Sequence, residues 1–433
     1  MGRPDKIGQL LAGSYIDPDS RKPVRVETKS LIILPTLKGV KYQAVKDLGF
    51  GRRLAVVSDV TTHEVLGRRV EGSLAPLYDV TSIVLPKNPY PDGETVEKIR
   101  LATAKCDAVI AVGSGTINDL CKYGSAQDKK PYAVFATAPS MNGYTSVNAA
   151  ITVHGHKMSL AAHAPVGAFF DLGVLVAAPA RMIRSGLGDS LCRTTAQADW
   201  LLSHLLFGHA YRQLPYELLA DDEGPLFAQA ADLMKGDLKT MELLVRTLVL
   251  SGFGTAIIGT SQPASQGEHL ISHYIDMFCD KKRPTVFHGE QVGVTTLSMA
   301  RLQHAMLGST PVITPDTATE ADFKTRYGDE LGASCWAEFK AKFISKDKAA
   351  QLNDILKKQW DTIREKISRI LLPATHLADV LSASGADLTP EQIALPRSFY
   401  ESALLNCRDI RGRYTFLDLA ASSGQLRALT KTI

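Results

Sequence analysis

Five short apolar runs in the first third of the chain constrain its fold more than any other feature. Ser30–Pro35 (SLIILP), Arg53–Asp59 (RLAVVSD), Thr81–Pro86 (TSIVLP), Asp107–Gly115 (DAVIAVGSG) and Tyr132–Ser140 (YAVFATAPS) are rich in β-branched residues and stop at Gly, Pro, Asp or Ser. Such runs read as buried strands. Helix-like stretches such as GETVEKIRLATAKC and TINDLCKYGSAQ separate them. Strand and helix in alternation predict a parallel sheet covered on both faces, which takes ligands at the carboxyl ends of its strands. After about Ala180 the texture changes to apolar residues at helical spacing, as in EHLISHYIDMF, EQVGVTTLSMARLQHAML and KAAQLNDILKKQWDTIREKISRILL. The expected fold is an α/β, Rossmann-like parallel-sheet domain over residues 1–180, followed by an all-α domain over residues 181–433. A boundary at 175–185 leaves a cleft between the halves as the natural place for a site.

Bulk properties narrow the function. At 433 residues the chain can bury a full core, and a net charge of +4 over that length makes no case for nucleic acid or an anionic membrane. Local basic groups facing a small anion fit the same charge. Six cysteines stand singly, with no CxxC pair, which suggests a reducing compartment rather than a disulfide framework or zinc knuckle. The first twenty residues lack the apolar run of a signal peptide, and no stretch reads as clean enough to span a bilayer, so a cytoplasmic protein is expected.

Two loops and one aspartate carry the chemistry of the first half. VGSGTINDLCK (Val112–Lys122) follows a strand and opens a helix. Gly113 and Gly115 let backbone approach a phosphate, and the helix N-terminus offers free N–H groups and a positive dipole. The full G-x-G-x-x-G pattern is missing, and an ordinary strand-to-helix turn accounts for the pattern equally well. Asp119, in the first turn, also serves to complement the helix dipole. ATAPSMNGYTS (Ala136–Ser146) is a second post-strand loop, dense in small and hydroxylic residues; a plain surface loop is its bland reading. Asp59 ends a strand, where a carboxylate can accept adenosine ribose hydroxyls or simply cap a helix.

In the second half, Asp189 follows a Gly-rich turn, where capping explains it. His269 and His273 lie one helical turn apart on one face, and His288 comes nineteen residues after His269. The intervening DKKRPTVF reads as a turn able to fold His288 back. One carboxylate and two imidazoles form a typical set for a catalytic divalent ion with an open position. Leu270 stands where a zinc protease needs Glu.

GSGTINDL, TAPSMNGYTSVNAAI, HKMSLAAHAPVGAFFDLGVL, GLGDSLCRTTAQADW, SQPASQGEHLISHYID and HGEQVGV, in this order, resemble the glycerol-1-phosphate dehydrogenase family. It belongs with the iron-containing alcohol dehydrogenases, glycerol dehydrogenases and dehydroquinate synthase. The resemblance runs from about Leu31 to Ala300; from Leu302 on the chain matches only as generic helix. It implies a dehydroquinate synthase-like fold, NAD or NADP, and one divalent ion (zinc, nickel or iron) held by Asp189, His269 and His288. It further implies that His273 contacts substrate. Gly113, Ser114, Gly115, Thr116, Ile117 and Asp119, with Thr137, Ala138, Pro139, Ser140 and Ser146, would meet the dinucleotide, and Asp59 its adenosine ribose. Lys157 is the candidate for the substrate phosphate. Relatives commonly carry Asp where this chain has Asn142, a position that touches substrate hydroxyls; an amide donates as well as accepts and carries no charge. The substrate expected is a small phosphorylated ketone or polyol, the assembly a dimer or larger homo-oligomer. Glycerol or another (phospho)polyol is the rival substrate, and an inactive binding relative the rival class.

Overall fold

The computed structural model describes residues 5–153, 156–279 and 286–433. The chain forms two compact units, each made of discontinuous pieces. The first takes residues up to 190, then 212–261 and 383–385; the second takes 191–211, 262–382 and 386–433. The first unit therefore takes in 212–261, beyond the 1–180 span that the texture of the sequence suggests.

Its centre is a six-stranded parallel sheet. The strands are β1 (Ser30–Leu34), β2 (Arg53–Asp59), β3 (Asp79–Leu85), β4 (Ala108–Gly113), β5 (Tyr132–Ala136) and, beyond a hairpin of β6 (Asn148–Val153) and β7 (His156–Ala161), β8 (Gly167–Asp171). Their order across the sheet is β1-β8-β5-β4-β2-β3. All five apolar runs expected to be strands are strands, and GAFFD (β8) is a sixth inserted between the first and the fifth. The central β4, β5 and β8 are buried along their whole length, the edge strand β3 mostly is not. That is why continuous apolar runs mark the centre of a sheet covered on both faces. Helices α1 (Gly93–Thr103) and α2 (Gly115–Gln127) are the two read between strands. Leu54, Val56, Ile110, Phe135 and Phe169 meet Leu66, Val70 and Leu74 in the core on one face.

Helix α3 (Ala180–Leu191) follows, then α4 (Arg193–Phe207) in the second unit and α5 (Leu238–Ile258) in the first. By length and composition α5 would cross a membrane, with a mean hydropathy of 1.6, which corrects the reading that no stretch is apolar enough. It is a core helix: 61% of its apolar window is buried, and its Val249 carbonyl accepts the Thr145 hydroxyl at 2.7 Å.

The second unit is helical. Helices α6 (Gly267–Phe278), α7 (His288–Met306) and α8 (Lys346–Ser368) pack on α4 and the late helix α9 (Phe416–Ser422). Leu352, Leu356, Trp360 and Ile363 recur at helical spacing, so one stripe of α8 enters the core that holds Leu270, Ile275 and Met299.

Candidate functional site

In the first unit the sheet register aligns the residues expected to meet a dinucleotide. Val57 pairs with Ala111, and Gly113 with Ala136, so Asp59 and Thr137 flank Gly113 at the carboxyl edge. The Thr137 N–H donates to the Gly113 carbonyl at 3.1 Å. A side chain at Gly113 would put its Cβ 2.5 Å from that of Ile117, so the strand can turn directly into α2 only with glycine there. Ser114 caps α2 with extended backbone, and its hydroxyl makes no cap bond, which leaves the N–H groups of Gly115, Thr116 and Ile117 at the helix mouth. The second loop is braced from α3. Ser185 Oγ donates to the Ser140 carbonyl at 3.0 Å, and a Cβ on Gly186 would fall 1.7 Å from the Pro139 carbonyl oxygen. Tyr144 completes the brace by donating to the Ala138 carbonyl at 2.6 Å.

Two carboxylates do other work as well. Asp59 Oδ1 accepts the N–H groups of Thr61 and Thr62, both at 2.8 Å, so capping is realised and only Oδ2 faces away from it. Asp119 lies within the protein, where burial pushes its carboxyl up; Oδ2 accepts the Ala150 N–H of β6 at 3.0 Å. Beside it stands Lys122, fully buried, which sequence reasoning passed over although it follows Asp119 by one helical turn. Its ammonium donates to Ser146 Oγ and to the Asn148 carbonyl, both at 3.1 Å, and to the Gly143 carbonyl. Burial brings it down to about 8. Lys157 lies on β7 opposite Thr152, and its charge is felt by Asp119. The Asn142 N–H donates to Asp189 Oδ2 at 2.6 Å, while its side-chain Nδ2 is buried without a partner among the described residues.

In the second unit α6 and α7 bring the three histidines together. Ring centroids lie 5.1 Å apart for His269 and His288, 6.0 Å for His269 and His273, and 5.9 Å for His273 and His288. The expected turn at 280–287 lies outside the described residues up to 285. The N-terminus of α6 is held by two buried carboxylates. Asp199 accepts the Gly267 N–H at 2.9 Å, and Glu268 Oε1 accepts the Gln266 N–H at 2.8 Å.

Hydrogen bonds sort the imidazoles by tautomer. His269 Nδ1 lies 2.9 Å from Glu268 Oε1, and a carboxylate accepts, so Nδ1 carries the proton and Nε2 a lone pair. Ser272 Oγ donates to Gln291 Oε1 at 3.1 Å and therefore accepts from His288 Nδ1 at 3.4 Å, which again leaves a lone pair on Nε2. His273 Nδ1 lies 3.2 Å from Arg411 Nη2. A guanidinium only donates, so here Nδ1 accepts and Nε2 carries the proton. Two imidazoles thus offer Nε2 to a metal and the third offers a proton. Neutral nitrogen donors of this kind suit a divalent transition ion, and the Glu268–His269 pair is the usual outer support of such a ligand. Glu268, Ser272 and Arg411 were not singled out in the sequence. Glu268 adjoins His269 and was within reach; Arg411 lies 138 residues from its partner. Cys192 Sγ also comes within 4.8 Å of the Glu268 and His269 donor atoms, but it donates to the Ala264 carbonyl and Glu268 is already bonded, so the trio reads as surroundings of His269.

Comparison with known proteins places the chain in a family. Residues 40–179 fit the family model described as iron-containing alcohol dehydrogenase. The chain is 32% identical over 283 residues to the glycerol-1-phosphate dehydrogenase (NAD(P)+) of Thermococcus kodakarensis, covering 64% of this chain and 78% of that one. Identity to its namesake from Pyrococcus furiosus is 34% over 257 residues, covering 59% and 73%. With the Geobacillus thermodenitrificans protein of the same name the match runs over 374 residues at 29%, covering 84% and 86%. Among solved structures, glycerol dehydrogenase from Schizosaccharomyces pombe superimposes with a TM-score of 0.62 at 16% identity, covering 94% of this chain and 90% of that one. At that identity the likeness is one of fold, the dehydroquinate synthase-like fold.

Proposed function

The chain belongs to the glycerol-1-phosphate dehydrogenase family, and from that premise we propose that it interconverts dihydroxyacetone phosphate and sn-glycerol 1-phosphate. The observation that carries the chemistry is the split of tautomers among His269, His288 and His273. His269 and His288, joined by Asp189, would hold one divalent ion; zinc, nickel and iron all suit two imidazoles and a carboxylate. Such an ion supplies Lewis acidity at a carbonyl oxygen, and NAD(P)H supplies the hydride.

The protein's own groups do the rest. The α2 N-terminus and the backbone at Gly113–Ile117 bind the pyrophosphate. Asp59 Oδ2 accepts from the adenosine ribose and favours NAD, because a 2′-phosphate would meet its charge. Thr137–Ser140 and Ser146 orient the nicotinamide end. Asn142 Nδ2 donates to a substrate hydroxyl. His273 donates an Nε2–H hydrogen bond to the C2 oxygen as hydride reaches C2, and the proton that completes the alcohol comes from solvent and returns there in the reverse direction. The balance is dihydroxyacetone phosphate, NAD(P)H and one proton giving sn-glycerol 1-phosphate and NAD(P)+. Asn142 favours a second reading, a different (phospho)polyol, because an amide stands where relatives carry a carboxylate. Six cysteines, five of them buried, fit a cytoplasmic setting.

The test is NADH oxidation by metal-loaded protein, with dihydroxyacetone phosphate or unphosphorylated dihydroxyacetone, each with and without a chelator. Chelator-sensitive turnover of the phosphate ester, with sn-glycerol 1-phosphate found by chiral analysis, is the expected result. Turnover of the unphosphorylated ketone alone would sink the reading in favour of the second.

A further inference from the structure

Beyond the one-turn helix at Cys407–Ile410 the chain carries two arginines two residues apart, Arg411 and Arg413. The first donates to His273 Nδ1 at 3.2 Å. The second donates to the Ser265 carbonyl, two residues before α6. Burial pulls both guanidiniums below their usual range, and Arg411 beside it helps bring Arg413 down to about 9. Two carboxylates act on the pair, and both have other bonds. Glu338 Oε2 accepts the Gly412 N–H at 2.7 Å. Glu268 serves His269 and Gln266 through Oε1, and Thr195 through Oε2 at 3.1 Å. Among the described residues no carboxylate forms an ion pair with Arg411.

Two like charges that act on each other, both partly withdrawn from water, repel, and a dianion set against them relieves both the repulsion and the lost hydration. Planar guanidinium forks match the oxygens of a phosphate bidentately, which a lysine ammonium cannot do. We propose that Arg411 and Arg413 form the subsite for the phosphate of a phosphomonoester substrate, beside the histidine whose Nε2–H faces the reacting oxygen. This rests on the reading of the chain as a dehydrogenase of a phosphorylated ketone. Arg411 then has two tasks: it fixes the His273 tautomer and it binds the substrate's remote end. Lys157, on the β6–β7 hairpin, is the competing cation.

The experiment uses the full chain, metal-loaded, with Arg411→Gln, Arg413→Gln and Lys157→Gln. The readouts are KM and kcat for dihydroxyacetone phosphate and competitive inhibition by inorganic phosphate. A charged hydrogen bond of this kind corresponds to a KM rise of about 10- to 100-fold. The expected result is that rise in both arginine variants, with phosphate inhibition lost in them and kept in Lys157→Gln. Loss of phosphate inhibition separates a phosphate ligand from a merely structural arginine. An unchanged KM and unchanged phosphate inhibition in both arginine variants would overturn the subsite, as would an effect confined to Lys157→Gln. Should the glutamine variants fail to fold, Arg411→Lys and Arg413→Lys keep the charge without the fork: a partial KM rise supports the subsite and none removes it. If the wild type does not reduce dihydroxyacetone phosphate, it is the functional reading that fails. Calorimetric titration of inorganic phosphate into wild type and Arg411→Gln then decides the subsite alone, with binding lost in the variant for it and equal binding against it.

Discussion

Three imidazoles gathered by one helix pair differ in where they keep a proton, so substitutions at them should separate cleanly. His273→Asn removes the Nε2 proton donor and leaves the Nε2 lone pairs of His269 and His288 in place. Metal content should stay near that of the wild type while kcat falls about 100- to 1,000-fold, the usual worth of one donor to a developing oxyanion. His269→Ala should instead lose the metal on dialysis. Metal analysis run beside turnover distinguishes the two, and a His273→Asn protein that comes out metal-free would mean that His273 is itself a ligand. One shell out, Glu268 keeps the His269 proton on Nδ1. Glu268→Gln is expected to weaken metal binding about 10- to 100-fold, read by competition with a chromogenic chelator; an unchanged affinity would reduce Glu268 to a helix cap.

At the scale of elements, the loop over Asn142–Asn148 depends on the buried pair of Lys122 and Asp119. The ammonium holds the loop through Gly143, Ser146 and Asn148, while the carboxylate holds β6 through Ala150. Removing one member strands the other: Lys122→Met should cost about 3–5 kcal/mol, and the double variant with Asp119→Asn should recover part of it, measured by urea unfolding. The sign with pH follows from the lowered Lys122 pKa. The unfolded chain binds the proton up to its ordinary value near 10.5 and the folded chain only to about 8. In that window the unfolded state holds more protons, so wild-type stability should rise with pH relative to Lys122→Met. A fall would place the neutral amine in the unfolded chain instead. The same loops explain what was legible in the sequence. The dinucleotide edge was readable because each part is local: a β-branched run, a small residue at its end, a helix start. The sixth strand was not, because GAFFD is five residues long and lacks a helix-like stretch before it. The apolar α5 showed only its length and composition, and these do not say whether protein or lipid covers it. Arg411 and Arg413 were invisible for a different reason. In sequence RGR is a short basic stretch near the end of the chain, and only packing against α6 brings it to His273.

At the scale of the molecule, the proposed ligands lie far apart in the chain: Asp189 near the end of α3, His269 in α6 and His288 at the start of α7. Asp189 stands three residues before Cys192, whose Sγ bonds the Ala264 carbonyl just ahead of α6. An ion that binds only the folded arrangement stabilises it by about 2.7 kcal/mol at a hundredfold excess over its dissociation constant. An ion that engages all three ligands would spread that stabilisation to the loop bonded to Asp189; one held by the histidines alone would confine it to α6 and α7. Amide hydrogen exchange with and without added zinc tells these apart. The expected outcome is slower exchange in the α6 and α7 peptides and also in the loop at Asn142, whose N–H is bonded to Asp189. Asp189→Asn should then abolish the protection at Asn142 and weaken, without eliminating, the protection in α6 and α7. Protection limited to α6 and α7 in the wild type would mean that the ion does not engage Asp189, and the third ligand would have to be sought within the second unit.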